Sequence, residues 1–445
     1  MSCKNRTEYV IPLLNKPFSR RGLFGLGMKT LPWAVMPQQV LRAQTTTPQR
    51  FVMFFLAGGW DTALAIDPVV GGKVGNYQTS YNNTESTVSG KSNLVIGQGL
   101  TNASSAFSNM NTAFVNGMYV EVTAHELATK YLMSGRSTLS RSREFPAVAA
   151  LLGDASSNFP PHLVLGQTVP LGDTKETNPP LHAISSDQLT LMLAGPRGQD
   201  FSFNDSAITT MHGLVDSLNT IRDSSLSTGA RNEMTAWRSA QSGIGSLYDA
   251  GYYSTVALDT ETSTRYNVGD NWQVEAHAAM AFKALQSGMA SYVTVHGGSY
   301  DTHSSHLSTH LPEMSSFATT LNTFVNDLRS TADPTDTSLS LADTTTIVVT
   351  SEFTRTPTFN NANGTDHWPS ASAIIMGPNV SDNTVVGATD NTGLALGWSS
   401  GTSATRTTDN ELNAGHLYSA ILRHFGYGSS ADSISVSYLS ELFTT

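Results

Sequence analysis

The sequence predicts an α/β fold: a three-layer α/β/α domain built on a mostly parallel central sheet. Three observations lead there. Short continuous apolar runs recur at residues 51–56 (FVMFFL), 291–295 (SYVTV), 346–350 (TIVVT) and 373–376 (AIIM), the pattern of strands buried on both faces. Amphipathic stretches at 275–288 and 307–329 lie between them, so helices return the chain between parallel strands. Polar or charged clusters accompany these runs, and in open α/β sheets ligands collect at the carboxyl ends of the strands.

In chain order, residues 1–43 come first. Arg20 and Arg21 precede a short, moderately apolar segment that contains Lys29 and ends near Ala43. This resembles a twin-arginine export signal and implies a periplasmic or secreted protein. The α/β domain is expected over 50–428. Inside it, 69–112 is rich in Ser, Asn, Thr and Gly and reads as a long cap loop. Residues 186–274 read as a helical and loop insertion, and 429–445 as a C-terminal packing element. No repeat of fixed period is visible.

Composition narrows the function classes. A chain of 445 residues with 39% hydrophobic and 13% charged residues folds around a large core. No run approaches the roughly 20 apolar residues of a membrane-spanning helix, so no integral span is expected. A formal charge of -10 and a pI near 5.6 argue against a nucleic-acid partner, which needs clustered Lys and Arg. Cys3 is the one cysteine and lies within the export segment. The mature chain then has no thiolate, and any metal must be held by His and carboxylates.

Four clusters stand out: Asp61 in 58-GGWDT-62, the stretch 301-DTHSSH-306, Glu352 in 350-TSEFTRTP-357, and 366-DHW-368. Each is assigned to a strand end. A divalent ion needs this convergence, since its ligands must come from separate elements to about 2 Å from one point. Asp301 with His303 is the best-supported pair, His306 follows, and His310 is the weakest. A helix start capped by Asp or Ser accounts for that stretch without a metal. Arg355 and Arg136 could each offer a planar donor fork to an anion or brace a loop carboxylate. Trp60 and Trp368 read as walls that exclude water.

The ordered set 56-LAGGWDT-62, 131-YLMSGR-136, 301-DTH-303, 351-SEFTRTP-357 and 366-DHWPSASAIIMGP-378 resembles the bacterial family of domain of unknown function 1501, itself similar to the alkaline phosphatase and sulfatase superfamily. The resemblance implies a metal site at the sheet's carboxyl edge. Asp61 would be the first-strand ligand, Asp301 with His303 or His306 the middle pair, Glu352 the next carboxylate and His367 the late histidine. Asp366 would be a ligand or would orient an imidazole.

Two positions depart from the superfamily pattern. Counting back from Gly135 to its nucleophile reaches His125, with Thr123 and Thr62 the nearest hydroxyls. His125 is then a ligand, a general base, or a packed histidine near a helix start. Phe353 follows Glu352 where another His is usual, which leaves room for one Zn, or for an oxygen-preferring Ca or Mg. The resemblance implies an exported metal-dependent hydrolase of small-molecule phosphate or sulfate esters. Thr123 or water would attack, and Arg355 or Arg136 would balance charge. The alternative is a catalytically silent, metal-binding exported protein that serves as a binding or assembly component.

Overall fold

The structure is a computed structural model that describes residues 49–68, 84–135, 144–152, 162–166, 181–183, 188–189, 252–269, 273–399, 402–404, 410–432, 434–435 and 437–444. Residues 1–48, where the export signal is expected, Arg136, residues 69–83 and most of the 186–274 stretch lie outside the described residues.

Strand β1, Arg50–Leu56, explains why the sequence reads as one apolar run. All seven residues are buried, and alternate side chains enter two different cores. Val52, Phe54 and Leu56 enter one, and Phe51, Met53 and Phe55 the other. Continuing along the chain, β2 (Glu85–Val88) and β3 (Lys91–Gly97) precede helix α1 (Ser104–Asn109). Strand β4 (Thr112–Tyr119), helices α2 (His125–Ser134) and α3 (Phe145–Leu152), and strands β5 (Leu163–Leu165) and β6 (Leu181–Ala183) follow. Helix α4 (Val274–Gln286) leads to β7 (Tyr292–Gly297), and α5 (His306–Ser330) to β8 (Thr345–Thr350). The last part holds β9 (Thr354–Arg355), β10 (His367–Trp368), β11 (Ser370–Met376), β12 (Thr384–Val386) and α6 (Ala414–His424).

The central sheet has eight strands in the order β12-β4-β11-β8-β1-β7-β5-β6. β1 is parallel to both neighbours, as are β5 with β7 and β6 and β12 with β4. Only β11 runs against β8 and β4, so the sheet is mostly parallel. One face carries α1, α4 and α5, where Phe54 meets Phe317 and Phe324 edge-on at 5.7 and 5.3 Å. The other carries α2, α3 and α6, where Phe51 meets Phe145 at 5.3 Å. These are the three expected layers.

Two expectations need correction. The 69–112 segment is not an open loop where it is described. β2 and β3 form an antiparallel hairpin; β3 adds Leu94 and Ile96 to the core, and the following turn and α1 add Leu100 and Phe107. The 366–368 cluster does not follow a strand of the central sheet; it contains the short strand β10 and precedes β11. Because β11 runs opposite to the rest, its start lies at the edge where the parallel strands end, and His367 reaches that edge in the reverse sense. Among the described residues no helix is long and apolar enough to cross a membrane.

Candidate metal centre

The carboxyl edge gathers the ends of four strands. After β1, Gly58 and Gly59 adopt φ of 106° and 80°, and the turn passes so close to the segment after β7 that a Cβ on Gly58 would lie 2.4 Å from the Asp301 nitrogen. Glycine is the residue type that permits both the conformation and the approach. Asp301 is thereby held at the centre of the edge, with its side chain 39% exposed.

Three imidazoles surround Asp301. His125, the first residue of α2, has Nδ1 2.8 Å from Glu352 Oε1 and Nε2 3.3 Å from Asp301 Oδ2. His367 has Nδ1 2.6 Å from the Thr123 carbonyl oxygen and Nε2 3.1 Å from Asp301 Oδ1. His303 has Nδ1 3.1 Å from Asp366 Oδ1 and Nε2 2.9 Å from Asp301 Oδ1. Carboxylates and carbonyls only accept, so each ring donates from Nδ1. In a neutral ring Nε2 is then a bare lone pair.

Lone pairs aimed at a carboxylate repel it unless a proton or a cation lies between them. His125 Nε2 is buried with no hydrogen-bond partner. The hydrogen bond to Glu352 pushes His125 up from its ordinary value, against the opposing effect of burial. Burial holds His367 below its ordinary value in spite of its hydrogen bonds to Asp301 and Thr123, which favours the neutral ring. Burial alone would raise Asp301, but the contact with His367 Nε2 and the hydrogen bond and charge of Arg355 bring it below the usual carboxylate range. The ligand atoms of His125, Asp301 and His367 all lie within 4.8 Å of one another, the scale on which donors share one ion, since bonds near 2.0–2.2 Å put ligands roughly 3–4 Å apart. The residues present therefore fit a divalent cation. Each ring's oxygen partner is also the arrangement that orients metal-binding histidines.

A family model described as "Protein of unknown function (DUF1501)" matches residues 48–399. The chain belongs to the DUF1501 family. The comparison with curated proteins returned no match. Among solved structures, a protein in the alkaline phosphatase superfamily from Vibrio parahaemolyticus is 10% identical, with a TM-score of 0.33, over 78% of this chain and 64% of that one. This chain thus spans less than two thirds of the length of that neighbour. Ps i-CgsB is 10% identical with a TM-score of 0.36, over 78% and 70%. Alkaline phosphatase from the Antarctic bacterium TAB5 is 10% identical with a TM-score of 0.33, over 78% and 96%.

The other sequence-derived residues are placed differently. Asp61 and His306, both fully buried, face each other at 2.9 Å and stand outside the three-residue ligand group. Glu352, 1% exposed, accepts from the Gly58 nitrogen and from His125, so it acts on the centre through that imidazole. Asp366 does the same for His303. Thr123 contributes its carbonyl oxygen to His367. Arg355 is buried, and its guanidinium donates to the Gly58 carbonyl, Asp301, and the Thr365 hydroxyl and carbonyl. It braces the edge and does not present a free fork. Trp60 is fully buried in the core and Trp368 is partly exposed beside His367. Sequence reasoning missed the Thr123 carbonyl, for which the sequence carries no signal.

Proposed function

We propose that this protein is a metal-dependent hydrolase of phosphate or sulfate esters, with His125, Asp301 and His367 holding one divalent ion. The observation that carries this reading is the convergence of two imidazole Nε2 atoms, their Nδ1 hydrogens committed to oxygens, on one partly exposed carboxylate. Two nitrogens and a carboxylate suit zinc better than calcium or magnesium, which prefer oxygen alone. When bound, the ion supplies Lewis-acid charge at an ester oxygen.

The chain's own residues do the remaining work in this reading. Glu352 and the Thr123 carbonyl fix the two rings, and Arg355 keeps Asp301 ionised and in place. His303, whose side chain is 47% exposed and backed by Asp366, carries a proton at Nε2 between the leaving group and solvent. The ligand is a small anionic ester. Export by the twin-arginine route is proposed on Arg20 and Arg21 alone. Two observations favour the second reading, a metal-binding protein without turnover: the Arg355 donors point inward, and Thr123 meets the cluster by its carbonyl.

Elemental analysis of full-length protein purified without chelator decides between these readings, run beside p-nitrophenyl phosphate and p-nitrophenyl sulfate hydrolysis. Asp301→Ala and His367→Ala are compared with the parent. About one equivalent of zinc, lost in both variants together with hydrolysis, is expected. Zinc without turnover selects the silent reading. Iron in place of zinc points to oxygen chemistry at a two-histidine, one-carboxylate centre and sinks the hydrolase. A folded parent without metal sinks both readings.

A further inference from the structure

The two histidines and the aspartate that stand apart from the ligand group form a structure of their own. The Asp61 backbone N–H lies 2.8 Å from His310 Nε2. His310 Nδ1 lies 3.1 Å from the Thr302 hydroxyl, and that hydroxyl lies 2.6 Å from His306 Nδ1. His306 Nε2 closes the circuit on Asp61 Oδ2 at 2.9 Å. Asp61, His306 and His310 are fully buried, and Thr302 is 6% exposed.

The partners dictate the direction of every bond. A backbone N–H can only donate, so His310 Nε2 accepts and its hydrogen is on Nδ1. That hydrogen points to Thr302. The Asp61 carboxylate accepts, so His306 carries its hydrogen on Nε2. In the neutral ring His306 Nδ1 then accepts from the Thr302 hydroxyl, the shorter contact, and the Thr365 hydroxyl lies 3.0 Å from the same nitrogen. Thr365 in turn accepts from Arg355 Nε at 3.1 Å, which ties the ring to the arginine that holds Asp301.

Thr302 sits between Asp301 and His303 in the chain. The ring therefore fixes the residue flanked by a proposed ligand and the proposed proton carrier. The same loop is pinned from outside. Thr365 N donates to the Thr302 carbonyl at 3.0 Å, Ser305 N to that of Ala362 at 3.1 Å, and His306 N to that of Asn363 at 2.8 Å. Asn360 Nδ2 bonds the His303 carbonyl at 3.1 Å. A Cβ on Gly364 would fall 1.9 Å from the His303 carbonyl carbon, so the two loops are in direct contact.

We infer that Asp61, His306 and His310 are positioning residues, a buried ring joined through Thr302 that sets where Asp301 and His303 stand at the metal centre. Fully satisfied polar networks of this kind specify one geometry where apolar packing would permit several. The inference rests on the metal-centre reading, and it replaces the ligand role that the family resemblance implied for Asp61 and His306.

Two measurements on the full chain test it. Long-range nitrogen–proton NMR of the imidazoles is expected to show His306 as the Nε2–H tautomer and His310 as the Nδ1–H tautomer; any other pair overturns the ring, whether or not metal binds. Zinc affinity is then read by competition with a chelator. His310→Leu is expected to weaken zinc by about 10- to 100-fold, the usual effect of removing an outer partner. His310→Gln, which offers an acceptor and a donor on one amide, is expected to stay within a few-fold of the parent. Thermal unfolding confirms that both variants are folded at the assay temperature. Parent-like affinity in His310→Leu refutes the positioning role. Loss of a second equivalent of metal in Asp61→Asn makes Asp61 a ligand and overturns it as well. A parent with no zinc affinity but the expected tautomers removes the metal centre and, with it, the role assigned to the ring.

Discussion

At the scale of single residues, burial decides what each carboxylate can do. Glu352 is buried beside His125 and the Gly58 nitrogen, so its use is to aim an imidazole. Glu352→Gln keeps the shape and removes the strong acceptor; zinc affinity measured by chelator competition is expected to drop about 10- to 100-fold, with little change in thermal midpoint. Glu144 is the opposite case. Its two oxygens are buried without hydrogen-bond partners, and burial pushes its carboxyl up to about 8. Nearby His162, 3.6 Å away, is pushed down to about 3 by burial, assisted by His296. The signs follow from which state binds more protons. Folding raises the Glu144 value, so its contribution to stability is full below the unfolded carboxyl range and is lost as pH rises through about 8. Between those limits stability falls by up to about 1.4 kcal/mol per pH unit from this group. Folding lowers the His162 value, so its contribution is full above the ordinary imidazole range and is lost as pH falls toward 3. Urea midpoints at pH 6 and pH 9 are expected to diverge in the parent and to converge in Glu144→Gln; an equal divergence in that variant would refute the assignment.

At the scale of elements, the site depends on turns that follow strands. Gly58→Ala adds a Cβ at φ of 106° against Asp301 and Tyr300 nitrogens at 2.4 and 2.7 Å. A loss of about 3 kcal/mol or more in chemical denaturation is expected from strain and clash together, with zinc binding lost in the fraction that still folds. At the other end of β1, the buried Arg50 guanidinium bonds Asp333 and the Thr344 hydroxyl. Arg50→Met strands the fully buried Asp333 carboxylate and is expected to cost about 3–5 kcal/mol by urea unfolding, while Arg50→Met with Asp333→Leu recovers most of it.

These elements also show what the sequence makes legible. FVMFFL, SYVTV and TIVVT are readable because both faces of a central strand are apolar. β4 is not, since Asn116 and Gly117 interrupt its run within a segment rich in small polar residues. The reversal of β11 leaves no periodic trace, because a strand buried on both faces reads alike in either direction. The cluster of acidic and histidine residues is visible, but its division into two groups is not. Sequence spacing places Asp301, His303, His306 and His310 together, whereas one turn of backbone sends the first two to the solvent edge and the last two under it. His125 is visible only as a histidine near a helix start, and its partner Glu352 comes from a distant strand end.

At the scale of the whole molecule, the proposed centre draws on α2, the segment after β7 and the start of β10, three places far apart in the chain. An ion held by all three binds the native state alone. Zinc is therefore expected to slow unfolding without changing the refolding rate in stopped-flow measurements, because ligands from separate elements meet after the rate-limiting step. A zinc-accelerated refolding phase would place metal capture earlier and contradict this. The pairing of β1 carries the same idea back to synthesis. Phe51 pairs with Tyr292 and Arg50 with Thr345, so the strand at the middle of the sheet emerges first from the ribosome and must wait for both neighbours. Until the β7 segment is out, the most apolar run of the chain has neither neighbour to pair with, and until β8 follows one of its edges stays open, which leaves the nascent chain exposed to mispairing during synthesis.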